Sequence, residues 1–84
     1  MELDREGSIP PYRQLAAILR EQIHSGEIPP DRPIPSKKTL MQEYGVAGKT
    51  IDKAVGILRE EGLVRTVRGM GIYVVPEDER GPRG

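Results

Sequence analysis

Cysteine is absent from this 84-residue chain. That single absence excludes disulfides, cysteine-ligated zinc and thiol catalysis, and it fits a reducing compartment. Histidine is nearly absent too. His24 stands alone and cannot build a metal site by itself, so no metal and no cofactor is expected. No apolar run approaches the roughly 18 residues that a membrane span needs. The acidic start Met1-Glu-Leu-Asp-Arg-Glu lacks the basic opening and apolar stretch of a signal peptide. The expected location is therefore the cytoplasm, with no membrane partner. Net charge is also lacking, because 13 basic residues balance 13 acidic ones. The distribution is uneven, however. Residues 1–10 set Arg5 against Glu2, Asp4 and Glu6, and residues 76–84 set Arg80 and Arg83 against Glu77, Asp78 and Glu79. The ends are thus −2 and −1, which leaves +3 on residues 11–75. A chain this short supports one small domain with a modest core, for which partner association is a reasonable expectation.

Periodicity organises what is present. From Pro11 to Ser25 the residues Tyr12, Leu15, Ala16, Ile18, Leu19 and Ile23 recur at helical spacing, opened by Pro10-Pro11 and closed by Gly26. The next stretch, Glu27 to Pro35, has four prolines in nine residues. It cannot be helical, and a short edge strand is expected near Arg32 to Ile34. Ser36 follows a proline and precedes Lys37-Lys-Thr-Leu-Met-Gln-Glu-Tyr44, which makes it the N-cap of a two-turn helix. Thr39 stands where a capping box would carry Glu or Gln, so the reciprocal half of that motif is missing. Gly45 supplies a left-handed turn. A third helix is predicted from about Ala47 to Glu61, with Val46, Thr50, Ile51, Ala54, Val55 and Leu58 facing inward and Gly62 as its stop. Strands at Leu63 to Val67 and Ile72 to Val75 join through Arg68-Gly69-Met70-Gly71 as a hairpin.

This order of elements is an α+β winged helix-turn-helix: three helices plus a small antiparallel sheet whose hairpin forms the wing. The expected organisation is a flexible N-terminus over 1–9, the winged domain over 10–75 and a flexible, charged tail over 76–84.

Several residues carry the pattern further: Tyr12-Arg-Gln-Leu-Ala before Ile23-His-Ser-Gly26, Ile34-Pro-Ser36, Glu43-Tyr-Gly-Val46, Thr50-Ile51, Glu61-Gly-Leu-Val64 and Gly69-Met-Gly-Ile-Tyr-Val74. As an ordered series they resemble the winged helix-turn-helix of the gluconate-repressor (GntR) family of bacterial transcription regulators. The resemblance implies a transcriptional regulator that binds double-stranded DNA, with the third helix in the major groove and the wing in the minor groove. Family members usually begin the third helix with Ser-Arg-x-Thr-Val-Arg, both arginines facing DNA. Here the matching residues are Ala47-Gly48-Lys49-Thr50-Ile51-Asp52, so Gly48 and Asp52 replace the two arginines. Lys38 matches a position that the family often gives to a phosphate-contacting arginine. Arg68 and Gly69 match the wing tip. The implied DNA-binding set is Ser36, Lys37, Lys38, Ala47, Gly48, Lys49, Thr50, Asp52, Lys53, Arg68 and Gly69.

Two readings of that set stay open. Lys49 and Lys53 with Lys37 and Lys38 favour DNA, whereas Asp52, Gly48 and overall neutrality favour a winged helix turned into a protein-interaction module with reduced or lost DNA binding. Family members also carry a second domain that binds an effector and dimerises. This chain ends soon after the wing, which leads us to expect a DNA-binding-only member or one that takes its signal from a protein partner, working as a homodimer. Catalysis is not expected. Ser36 and His24 could imitate a nucleophile and base, but no third group or pocket is implied. Gly69-Met-Gly71 lacks the following helix of a phosphate loop, and Glu77-Asp-Glu79 lacks calcium-loop spacing.

Overall fold

The computed structural model describes residues 3–80. Three helices come first, α1 at Pro11–Ser25, α2 at Lys37–Tyr44 and α3 at Gly48–Glu60. They precede the strands β1 at Val64–Val67 and β2 at Gly71–Val74. Each helix ends where the sequence supplies a residue able to end it. Pro11 occupies the first turn of α1, where its missing N–H breaks no bond, and Gly26 closes the helix at φ 87°. The Ser36 hydroxyl accepts the Thr39 N–H at 3.1 Å and donates to Thr39 Oγ1 at 2.9 Å. Thr39 Oγ1 thereby accepts from the Ser36 hydroxyl, and not from the backbone N–H that a capping-box carboxylate would take. Gly45 takes φ 64° and its N–H returns to Met41 O at 2.9 Å. That left-handed residue turns the chain between α2 and α3. Helix α3 ends in a Schellman arrangement, with Gly62 N–H on Arg59 O and Leu63 N–H on Leu58 O, both at 3.0 Å.

The amphipathic faces then bury one another. Helix α3 packs chiefly on α1 and α2 and ends against β1, and the innermost side chains are Leu15, Leu19, Leu40, Ile51, Leu58, Val64 and Val74. Of the six residues expected to face inward around α3, Ile51, Ala54, Val55 and Leu58 are buried, and Val46 and Thr50 are half-buried. Tyr12 departs from the pattern. It lies on the helical period of α1 yet remains outside the core, half-exposed.

The strands pair antiparallel, with Val64 opposite Val74 and Val67 opposite Gly71, so Gly71 belongs to the strand and the loop is Arg68-Gly69-Met70. A third rung lies alongside β2. Asp31 N–H donates to Val74 O, Val74 N–H to Arg32 O and Ile34 N–H to Ile72 O, all at 2.9 Å, and Pro33 bridges Tyr73. This is the expected edge strand, reduced to a single bridge, and Pro33 is tolerated in it because the bonds are made by its neighbours and its missing N–H would face away from β2.

Both chain ends touch the domain. Leu3, within the segment expected to be flexible over 1–9, is buried in the core at 8% exposure. Gln14 holds this arm. Its amide donates to Asp4 O at 2.6 Å and Ile9 O at 2.7 Å and accepts the Asp4 N–H at 2.7 Å. Downstream of the wing, Glu77–Glu79 forms a short 3₁₀ turn. Arg80 Nε reaches back to Val75 O at 2.9 Å, and Arg65 pairs with Glu79 at 3.2 Å. The expected tail thus begins with ordered contacts, and its last residues, 81–84, lie outside the described ones. Among the described residues, no helix is long and apolar enough to cross a membrane.

Candidate nucleic-acid interface

Three pieces of surface are brought together by this packing. They are the first turn of α2, the exposed side of α3 and the tip of the β1–β2 hairpin. Ser36, Lys37, Lys38, Ala47, Lys49, Asp52, Lys53, Arg68 and Gly69 are exposed, while Gly48 and Thr50 are half-buried. Ser36 is already committed to capping α2. Ala47 is the N-cap of α3 without a side-chain bond, and Gly48 is its first helical residue. At that position a glycine avoids most of the penalty it would incur in a helix interior.

The α3 surface carries a paired charge between its lysines. Lys37 reaches across from α2 and its Nζ lies 3.0 Å from Asp52 Oδ2. The path runs over Gly48. A Cβ built at Gly48 would fall 2.7 Å from Lys37 Cε and 3.3 Å from Nζ. The backbone of Gly48 is ordinary helix, and a Cβ there would displace only the flexible end of Lys37, so the bare position leaves room for the Lys37 side chain to pass. The pair stands at the rim of a cleft of about 320 Å³, whose lining includes Leu40, Ile51, Val55, Ile34 and Ile72, with Arg59 at its side. Arg59 is itself directed by a hydrogen bond to Thr66 Oγ1 at 3.0 Å.

Asp52 is one helical turn from Gly48, and Lys53 is one turn from Lys49, so two neighbouring rows run along α3. Lys53 is placed 5.4 Å above the Tyr12 ring, and Arg13 lies 5.9 Å from the same ring. Arg13 holds the Tyr12 phenol below its ordinary range through its hydrogen bond and its charge, and Lys53 acts in the same direction. Two cations gathered on one half-exposed ring place this corner of α1 beside the outer side of α3. The sequence concealed this cluster, because Tyr12 and Lys53 meet only when α1 packs on α3. Among the described residues Lys38, Lys49 and Arg68 have no ion-pair partner.

A further contact joins the N-terminal arm to the turn between α2 and α3. Arg5, from the arm, donates Nη2 to Tyr44 O at 2.8 Å and to Gly45 O at 3.0 Å. These carbonyls lie at the end of α2 and in the turn, so a charged donor satisfies them where the helix leaves them open.

A helix-turn-helix with a wing and exposed cations on α3 and at the wing tip defines a winged-helix module of the nucleic-acid-binding type. The model of bacterial regulatory proteins of the gntR family matches residues 11–74. The chain is 34% identical over 74 residues to the HTH-type transcriptional repressor NagR of Bacillus subtilis (strain 168), covering 88% of this chain and 30% of that protein. It is 38% identical over 71 residues to the mannosyl-D-glycerate transport/metabolism system repressor MngR of Escherichia coli (strain K12), covering 84% of this chain and 30% of that one. Its backbone is similar to that of the AraR DNA-binding domain in complex with operator ORX1. The TM-score is 0.82 at 36% identity, over 89% of this chain and 95% of the other. The chain belongs to the gntR family of bacterial regulatory proteins. It spans about 30% of the length of the two repressors.

Proposed function

We propose that this chain is a DNA-binding module of a transcriptional regulator, placing α3 in the major groove and the wing in the minor groove of a duplex. It acts by binding and performs no chemistry. One observation carries the reading: Lys38, Lys49, Lys53 and Arg68 stand exposed on the first turn of α2, the outer side of α3 and the wing tip, on a backbone similar to that of an operator-bound domain. Lysines at these places suit phosphates, whereas Arg68 beside Gly69 suits the narrow, negative minor groove. Asp52 does not oppose this, because Lys37 neutralises it at 3.0 Å. The modest positive charge predicts weak binding by one copy, so useful affinity comes from two copies on half-sites about one helical turn apart. The cytoplasm is the compartment that this function requires.

Selection of sites from random duplexes, followed by titration at several salt concentrations, tests the reading. The expected result is a repeated half-site and an affinity that falls steeply with salt. Absence of duplex binding at low salt would favour a protein-interaction module instead.

A further inference from the structure

Lys37 and Asp52 form a donor–acceptor couple in the middle of the α3 surface, assembled from two helices and dependent on the open space above Gly48. Its pattern has a complement. In the major groove a G·C pair offers the acceptors O6 and N7 on guanine and, next to O6, the N4–H₂ donor of cytosine. The guanine O6 and cytosine N4 are themselves joined by an N–H···O hydrogen bond of about 2.9 Å. An ammonium and a carboxylate separated by 3.0 Å therefore match that edge in both spacing and polarity.

Resting on the DNA-binding reading above, we propose that Lys37 and Asp52 act together as the specificity-determining unit of this chain and recognise one G·C base pair per half-site. Lys37 donates to guanine O6 and N7, and Asp52 accepts from cytosine N4. A T·A pair also sets an acceptor beside a donor, but it is the wrong partner. It places a methyl group where the ammonium would find guanine N7, and it puts the adenine N7 acceptor next to the carboxylate. The couple brings no net charge, so Asp52 enters a phosphate-lined groove without the repulsion that an isolated carboxylate would meet. Its two side chains are 53% and 61% exposed, and exposed pairs contribute little to folding. Its effect belongs to recognition.

The experiment compares the wild-type chain with Lys37→Met, Asp52→Leu and Gly48→Ala. Site selection comes first, followed by titration of the selected duplex and of versions with each base pair replaced in turn. Circular dichroism and urea unfolding confirm that the variants fold. The wild type is expected to select G·C at one position per half-site and to lose on the order of 5- to 150-fold when T·A replaces it. Lys37→Met, which removes the donor, and Asp52→Leu, which removes the acceptor, should each flatten the preference at that position alone. Gly48→Ala, whose new Cβ displaces the flexible Lys37 and no backbone, should weaken the same preference without introducing a new contact group. Retention of the preference in both Lys37→Met and Asp52→Leu, or no G·C preference in the wild type, overturns the proposal. Binding to random duplex, measured in parallel, separates the two levels. Salt-dependent binding with an indifferent position sinks only the base-reading couple, whereas no duplex binding at all removes the DNA reading and this inference with it.

Discussion

Arg20 and Glu61 meet side by side, Nε on Oε1 and Nη2 on Oε2 both at 2.8 Å, and so join the middle of α1 to the end of α3. The two side chains are 33% and 37% exposed, which leaves them partly shielded from water. Glu61 raises the Arg20 pKa further through its hydrogen bond, so the arginine stays charged at any working pH. A bidentate fork held between packed helices is stronger than an ordinary surface pair, yet still exposed to screening. Arg20→Ala should cost about 1 kcal/mol in urea unfolding, and Arg20→Lys should recover only part because an ammonium cannot occupy both oxygens. A double-mutant cycle with Glu61→Gln measures the coupling. A value indistinguishable from zero would leave the fork with no role in stability.

The N-terminal arm should be worth more than its position suggests. Leu3 is buried, and Arg5 caps the turn carbonyls of Tyr44 and Gly45. We expect Leu3→Ala to cost roughly 2 kcal/mol, at the low end for core truncations because a chain end can close over the gap. Arg5→Ala should lose about 1 kcal/mol for its hydrogen bonds and should loosen the angle between α2 and α3. Hydrogen exchange at Gly45 and Val46 reads that second effect, and unchanged protection there would show that Gly45 alone sets the turn.

Alkali should act through Tyr44. Burial raises the Tyr44 pKa, with the charge of Glu43 adding to it, and the hydrogen bond with Gln22 opposes both. A raised folded-state pKa means that the protonated phenol is favoured in the fold. Its contribution is complete below the ordinary tyrosine value near 10 and is lost as pH rises from there through the folded value. Stability should therefore drop on the alkaline side, and Tyr44→Phe should remove that component of the drop. Urea midpoints across the alkaline range test it, and an identical decline in Tyr44→Phe would assign the drop to other groups.

The wing gives a prediction about sequence context. Arg68 is exposed between Val67 and Gly69, where Gly69 holds φ 79°. Arg68→Ala should weaken binding to sites with A·T-rich flanks more than to G·C-rich ones, since a narrow groove concentrates negative potential. Lys49→Ala should instead lower affinity on all sequences and reduce the salt slope by about 0.9, the contribution of one phosphate. Equal losses on both flanks would leave Arg68 with a phosphate contact only.

Local chemistry in the sequence was sufficient to determine the helices, their caps, the hairpin and the edge rung at Pro33. Apolar spacing, Pro10-Pro11, Ser36, Gly26, Gly45 and Gly62 act over a few residues, and nothing in the packing opposed them. The family of the chain was legible for the same reason, because its motifs are ordered local signals. Tertiary structure alone decided the character of the α3 surface. Lys37 and Asp52 are 15 residues apart, and their pairing depends on how closely α2 crosses α3 and on the missing side chain at Gly48. The Tyr12–Lys53 contact, the Arg20–Glu61 fork and the Arg5 cap likewise join segments distant in sequence. Periodicity states which residues face outward, but only the docking of one helix on another determines which charges meet and cancel.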